Sequence, residues 1–89
     1  MFRSPRPNVI ENTEGVSVEI LGRVGIRYTE KGKSVEVNAE VLANPEIAVY
    51  SSSICKWSDG GAIDDATRGR IIQNIRDAVR SQGEDIVVI

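Results

Sequence analysis

Acid–base and nucleophilic catalysis need particular side chains, and this sequence is short of them. It contains no histidine, which removes Ser-His-Asp and Cys-His arrangements and the usual zinc ligand sets. Its one cysteine, Cys55, has no C-x-x-C partner. The expectation for it is a small buried hydrophobe rather than a reactive thiol. The run Gly22–Tyr28 (GRVGIRY) lacks the Lys-Ser/Thr ending of a phosphate loop and the third glycine of a dinucleotide fingerprint. Asp59, Asp64 and Asp65 bracket a Gly60-Gly61 loop without the spacing of a calcium loop; they read as capping and solvated groups. The sequence thus points to no catalytic, cofactor-binding or metal-binding residues, and an enzyme is the least favoured class.

Two features suit binding better than chemistry. Arg70, Arg76 and Arg80 share one side of a helical segment with Asp77 among them. Such mixed charge reads as a solvated face more readily than as a nucleic-acid footprint. Trp57 stands alone before the glycine loop. A lone Trp there is first a core anchor whose indole N–H needs a partner, and second an interface hot spot.

The elements that must position these residues follow from periodicity. Within Asp64–Gly83, the residues Ile71, Ile72, Ile75, Ala78 and Val79 form a single helical stripe. Asp64 suits the N-cap, Asp65 the positive end of the dipole, and Gly83 a left-handed C-cap. Gly69 is the exception, costing about 1 kcal/mol relative to alanine in a helix interior; it lies off the stripe.

Upstream, Val16–Leu21 alternates as a half-buried strand. Val24–Thr29 and Ser34–Ala39 then form a hairpin around Lys31-Gly32. A loop of two or four residues pairs Tyr28 with Val35, Ile26 with Val37 and Val24 with Ala39, and sets Arg27 opposite Glu36. A three-residue loop would oppose Ile26 to Glu36, which a one-sided core forbids. Val41-Leu42 ends the unit, Asn44-Pro45 turns, and Glu46–Tyr50 is a further strand. Ser51–Ser53 breaks it, and Ile54–Trp57 either continues it or begins a short fifth strand. Asp85–Ile89 is a continuous apolar run, expected to be covered on both sides or at least central.

With 89 residues, the chain reads as one domain that buries about 60–65% of its unfolded surface. One Trp, two Tyr and one Phe leave the core to Val and Ile. A formal net charge of −2 is too mild to argue for a nucleic-acid or membrane partner. The lone cysteine suits a reducing compartment, and neither a secretory leader nor a spanning run is evident, so the cytoplasm is the default expectation. Residues 1–15, with Pro5 and Pro7, read as a flexible arm whose removal leaves stability nearly unchanged. Residues 16–89 read as one α+β domain: a mainly antiparallel sheet of about five strands, ordered β-β-β-β-α-β, with the helix across the face of Val24, Ile26, Tyr28, Val35 and Val37.

The run Ile47-Ala48-Val49-Tyr50, then Ile54 and Trp57, then Ile63-Asp64 opening a helix with Arg70-Ile71 and Ile75, then Gly83 and an apolar ending, resembles immunity protein 74. This is a small bacterial family of polymorphic toxin systems. The Tyr28-x-Glu30-x-Gly32 hairpin followed by Glu40 carries the same likeness, which spans about Val18 to Ile89. The resemblance implies a non-enzymatic, cytoplasmic protein that binds and neutralises a cognate toxin domain. Alternatives are a small nucleic-acid-binding regulator using the Arg face, or an accessory or homodimeric module joined through a sheet edge. Candidate partner-binding residues are Trp57 and Asp59 at the loop, and Arg27, Glu36, Asn38 and Glu40 on the outward hairpin face. Against a nuclease with a basic channel, Asp59, Glu36 and Glu40 are the better choices.

The helix stripe yields a direct test. Ile75→Asp places an unpaired charge at the centre of the stripe and should abolish the cooperative melt, whereas Gln73→Asp should stay within about 0.5 kcal/mol of wild type. Circular dichroism melts of the two variants check both.

Overall fold

A computed structural model describes residues 2–22, 25–42 and 46–89. Strands β1 (Phe2–Arg6), β2 (Val9–Asn12), β3 (Val16–Ile20), β4 (Gly25–Glu30), β5 (Lys33–Val41) and β6 (Glu46–Val49) precede helix α1 (Asp65–Ser81), and β7 (Asp85–Val88) follows it. The strands form one seven-stranded sheet in sequence order. Every neighbouring pair from β1 to β6 is antiparallel, while β7 pairs with β6 in parallel. A parallel neighbour needs a long crossover connection, and α1 lies within it.

The β4–β5 register is the expected one: Tyr28 faces Val35, Ile26 faces Val37 and Arg27 faces Glu36. Glu30 pairs with Lys33, so the loop holds two residues, Lys31 and Gly32, with φ of 50° and 80°. Positive φ at both central positions is what a hairpin turn matched to strand twist requires. The expected Val24–Ala39 pair and the Asn44-Pro45 turn lie outside the described residues.

Helix α1 is capped at both ends by local chemistry. The Asp64 carboxylate accepts the Thr67 N–H at 2.7 Å. At the other end Gly83 adopts φ 83°, its N–H reaches the Arg80 carbonyl at 3.0 Å, and the Glu84 N–H reaches the Val79 carbonyl at 3.2 Å. That pair of bonds is a Schellman motif, which only a left-handed residue such as glycine closes cheaply. Ile71, Ile75, Ala78 and Val79 are buried, and the helix packs across β2, β3 and β7. They meet Val18, Ile26, Tyr28, Val37 and Val49 from the sheet's inward face, all within one cluster. Each such side chain, fully buried, contributes about 1.5–3 kcal/mol. Gly69 is exposed, with nothing within 4 Å of the position a Cβ would take; no packing demand explains it.

Four expectations are corrected. The sheet has seven strands, not about five, because the segment read as an arm carries β1 and β2. Val9 and Ile10 are each only 4% exposed. Asn12 builds the following turn, its side-chain oxygen accepting the N–H groups of Glu14 and Val16 at 2.9 and 3.0 Å. Pro5 is compatible with β1 because β1 is an edge strand, where a missing N–H costs no ladder bond. Ile54–Trp57 forms no strand; a single bridge, Lys56 to Ala62, closes a compact loop. Cys55 is exposed, because its neighbours Ile54 and Trp57 take the inward positions. Finally, β7 is not central but an edge, and Val87 and Val88 are 37% and 39% exposed. A continuous apolar run indicates apolar surroundings but not how many strands supply them.

Burial of Val9 and Ile10 reverses the stability expectation for the first residues. Deleting residues 1–13 should lower Tm by roughly 5–15 °C, at about 4–8 °C per kcal/mol for a domain of this size. Thermal melts of the truncated chain check this; an unchanged Tm would show that β1 and β2 add no net stability.

Candidate functional site

The candidate residues divide between the two faces of the sheet. Alternation along β4 and β5 turns Arg27, Glu36, Asn38 and Glu40 outward, and all four are exposed. Arg27 lies 3.3 Å from Glu19 of β3 and 3.5 Å from Glu36 of β5. Exposed pairs of this kind contribute little stability, but they hold three charges in a fixed ladder across three strands. Asn38 donates its backbone N–H to the Ser53 hydroxyl at 2.9 Å, and its carbonyl accepts the Tyr50 N–H at 2.9 Å. The Tyr50 hydroxyl donates to the Glu40 carboxylate at 3.0 Å. The hydrogen bond to Glu40, and then its negative charge, push the Tyr50 hydroxyl above its ordinary range.

Trp57 belongs to the opposite side. It is 7% exposed, with its ring stacked on that of Tyr28 at 6.5 Å between centroids. Lys33 Nζ sits 6.0 Å above the indole, at the range of a cation–π contact. The core-anchor reading of Trp57 therefore describes its position. The loop that follows is fastened to β5: the Ser58 N–H donates to the Ser34 carbonyl at 2.7 Å, and the two serine hydroxyls lie 3.0 Å apart. Asp59 accepts the Gly61 N–H at 2.8 Å and approaches Lys33 at 3.9 Å. Asp59 is thus exposed on a braced loop, at the hairpin end of the sheet.

A third cluster was not singled out by residue type. The Tyr28 hydroxyl donates to Glu30 at 2.7 Å and accepts from the Asn74 amide at 2.8 Å. Arg70 bonds the same Glu30 carboxylate through Nε and a terminal nitrogen, at 3.2 and 2.5 Å. The Glu30 side chain is only 11% exposed. These four groups clasp the hairpin to the helix. Burial is the largest influence on Tyr28, and it drives the phenol far above its ordinary range, so the hydroxyl stays a donor. Asn74 adjoins the apolar stripe on the helix wheel, and that position was the available sign of a polar group facing the sheet.

Arg68 donates to the Ile54 carbonyl at 2.9 Å, and the last two helix arginines approach one carboxylate, although the buried Arg76 Nε makes no hydrogen bond. Arg80 lies 3.2 Å and Arg76 3.8 Å from Asp85. Among the described residues, no group of three or more His, Cys, Asp or Glu side chains is arranged to hold a metal, and no helix is long and apolar enough to cross a membrane.

The family model of immunity protein 74 matches residues 17–89, from β3 to the end of β7. The chain belongs to that family. No curated protein and no solved structure matches significantly. In this immunity protein 74 chain, the residues that carry the resemblance meet in space. Tyr28, Glu30 and Arg70 form the clasp, Gly32 makes the turn, Trp57 backs Tyr28, and Glu40 meets Tyr50 on the outward face. Strands β1 and β2 precede the matched region.

The clasp has a pH signature. Burial alone would raise the Glu30 carboxyl, but the hydrogen bonds from Arg70 and Tyr28, with the Arg70 charge, outweigh it and hold Glu30 below its ordinary 4.5. A carboxyl depressed in the folded state stabilises the fold fully above its unfolded pKa, and that stabilisation is lost as pH falls through the folded value. Tm should therefore hold near neutrality and fall below about pH 4.5. Asp64, lowered by its bonds to Thr67, and Asp85, lowered first by Arg80, add to the same limb. Glu30→Gln should be less stable at neutral pH and lose less on acidification. Thermal melts across pH check the difference.

Proposed function

We propose that this protein is a bacterial immunity protein that acts in the cytoplasm by binding a cognate toxin domain and blocking it. The observation that carries this reading is the family match across the whole unit from β3 to β7. Neutralisation by binding needs exposed groups on a rigid frame. Glu36, Asn38, Glu40 and Arg27 are exposed side chains on a hydrogen-bonded sheet, and Asp59 stands on a loop tied to β5. Trp57 supports that loop from the core.

The nucleic-acid reading draws less support. Its basis is the arginine face of the helix, yet Arg70 is engaged by Glu30, and Arg76 and Arg80 by Asp85. An arginine already paired has less to gain by displacing counterions from a phosphate backbone.

Co-expression tests the proposal. Cells producing the toxin domain encoded immediately upstream should survive only when this chain is also present. The two proteins should co-elute on gel filtration. Glu36→Lys or Asp59→Lys should weaken protection with little change in Tm. An upstream product harmless by itself, or the absence of any complex, would overturn the reading.

A further inference from the structure

The outward face of the sheet changes character along its length. Over β3, β4 and the hairpin end of β5 it presents Ser17, Glu19, Arg27, Thr29 and Ser34, an ordinary solvated surface. Beyond Asn38 it does not. Ala48 of β6 pairs with Glu40 on one side and Val87 on the other, so all three share the outward face. The same parity carries Leu42 past the end of β5, where its N–H bonds the Glu46 carbonyl at 2.9 Å. It also carries Ile89 past β7, where the N–H bonds the Val49 carbonyl at 2.9 Å and the carbonyl accepts from Ser51.

Among the described residues, the exposed large hydrophobics are Leu42, Val87, Val88 and Ile89, at 37%, 37%, 39% and 60%. Leu42, Val87 and Ile89 take this one face, whereas Val88, paired with Val49, takes the other. Half-buried Tyr50 follows β6 with the outward parity, its hydroxyl held by Glu40. Apolar residues scattered singly over a surface need no explanation; here three share one face within two adjacent rows of the sheet, around Ala48, which is 1% exposed.

The two edges of the sheet point the same way. Edge strand β1 carries Arg3 and Pro5, residues that discourage further pairing; edge strand β7 (Asp85-Ile86-Val87-Val88) carries neither a proline nor a lysine.

Charge selects the occupant. Exposed Glu36, Glu40 and Glu46 share this face. Lys33, the one cation carried by strands β5, β6 and β7 themselves, is drawn off to Trp57 and Asp59 at the hairpin end, and the helix residues Arg76 and Arg80 are held at Asp85, the partner of Glu46. Arg27, the neighbouring cation, is shared between Glu19 and Glu36. Two copies placed face to face would oppose acidic rims, an arrangement that costs free energy, whereas a basic surface would complement them.

We propose that the outward face of β5–β7, centred on Leu42, Tyr50 and Val87 and rimmed by Glu40 and Glu46, is the docking surface for a basic protein partner. On the immunity reading, which this inference rests on and deepens, that partner is the toxin domain, presenting Lys or Arg around an apolar centre. The apolar side chains supply the desolvated centre of the contact, and the carboxylates steer its approach.

The test measures binding of the purified toxin domain encoded immediately upstream. Leu42→Lys and Val87→Lys should each weaken binding by about 100-fold or more, as truncation at an interface centre does. Glu46→Lys should act mainly on the association rate, slowing it by roughly tenfold, and the wild-type rate should fall as salt rises. Gln73→Lys, on the exposed side of the helix, should bind as wild type. Thermal melts confirm that each variant is folded; if Val87→Lys is not, Leu42→Lys and Glu46→Lys decide. Wild-type binding by folded Leu42→Lys and Glu46→Lys variants, in a chain that still protects cells, overturns this surface and leaves the immunity reading standing. A wild-type chain that neither binds nor protects overturns both. A wild-type dimer dissociated by Leu42→Lys assigns the face to a second copy and overturns the basic partner.

Discussion

One 17-residue helix has to cover the inward face of a seven-stranded sheet, and most of the structure answers to that constraint. With so few aromatic residues, the chain cannot fill a core with a handful of large rings. It uses many branched aliphatics instead, arranged so that Ile71, Ile75 and Val79 of the helix and Val18, Ile26, Val37 and Val49 of the sheet lose nearly all contact with water. Close packing leaves little tolerance for movement between such layers. The Tyr28–Glu30–Arg70–Asn74 clasp then fixes where along the hairpin the helix sits. Its polar atoms satisfy one another, which is the condition for keeping a tyrosine hydroxyl and a carboxylate at the border of a dry core.

Because the helix occupies the inward face, most of the outward side chains of β4 and β5 are left exposed. Strand alternation sorts the side chains cleanly: Ile26, Tyr28, Val35 and Val37 go in, and Arg27, Glu36, Asn38 and Glu40 go out. Arg70, Arg76 and Arg80 of α1 are ion-paired with Glu30 and Asp85, which anchors the helix to β4 and β7. Charge in this molecule therefore has two settings. On the helix it secures an element, and on the outward sheet it stays exposed to solvent. The residues that carry the family resemblance fall largely into the first group. The likeness thus identifies the family largely through the parts that hold the fold, with Glu40 and Tyr50 its members on the outward face.

The sequence by itself determined the elements governed by local rules. Helix α1 was legible from its stripe, from Asp64 as cap and from Gly83 as stop, all interactions within a few residues. The hairpin register was legible because side chains alternate with period two, so a one-residue slip would have put Glu36 in the core. Trp57 as a core anchor followed from its size and its isolation.

Tertiary structure alone decided what depends on neighbours distant in the chain. Val9 and Ile10 are too few to signal a strand, and they are buried because β3 and the helix already stand beside them. Asp85–Val88 reads as interior on hydropathy, yet β6 is its only pairing partner, so its apolar side chains reach the surface with Leu42. Cys55 is exposed because Ile54 and Trp57 claim the inward positions of an irregular loop, where no period predicts direction. The meeting of Glu40 with Tyr50, and of Glu30 with Arg70 across 40 positions, comes from the order in which strands and helix pack. Local propensity carries no information about which distant surfaces come together, and the outward patch is made of such surfaces.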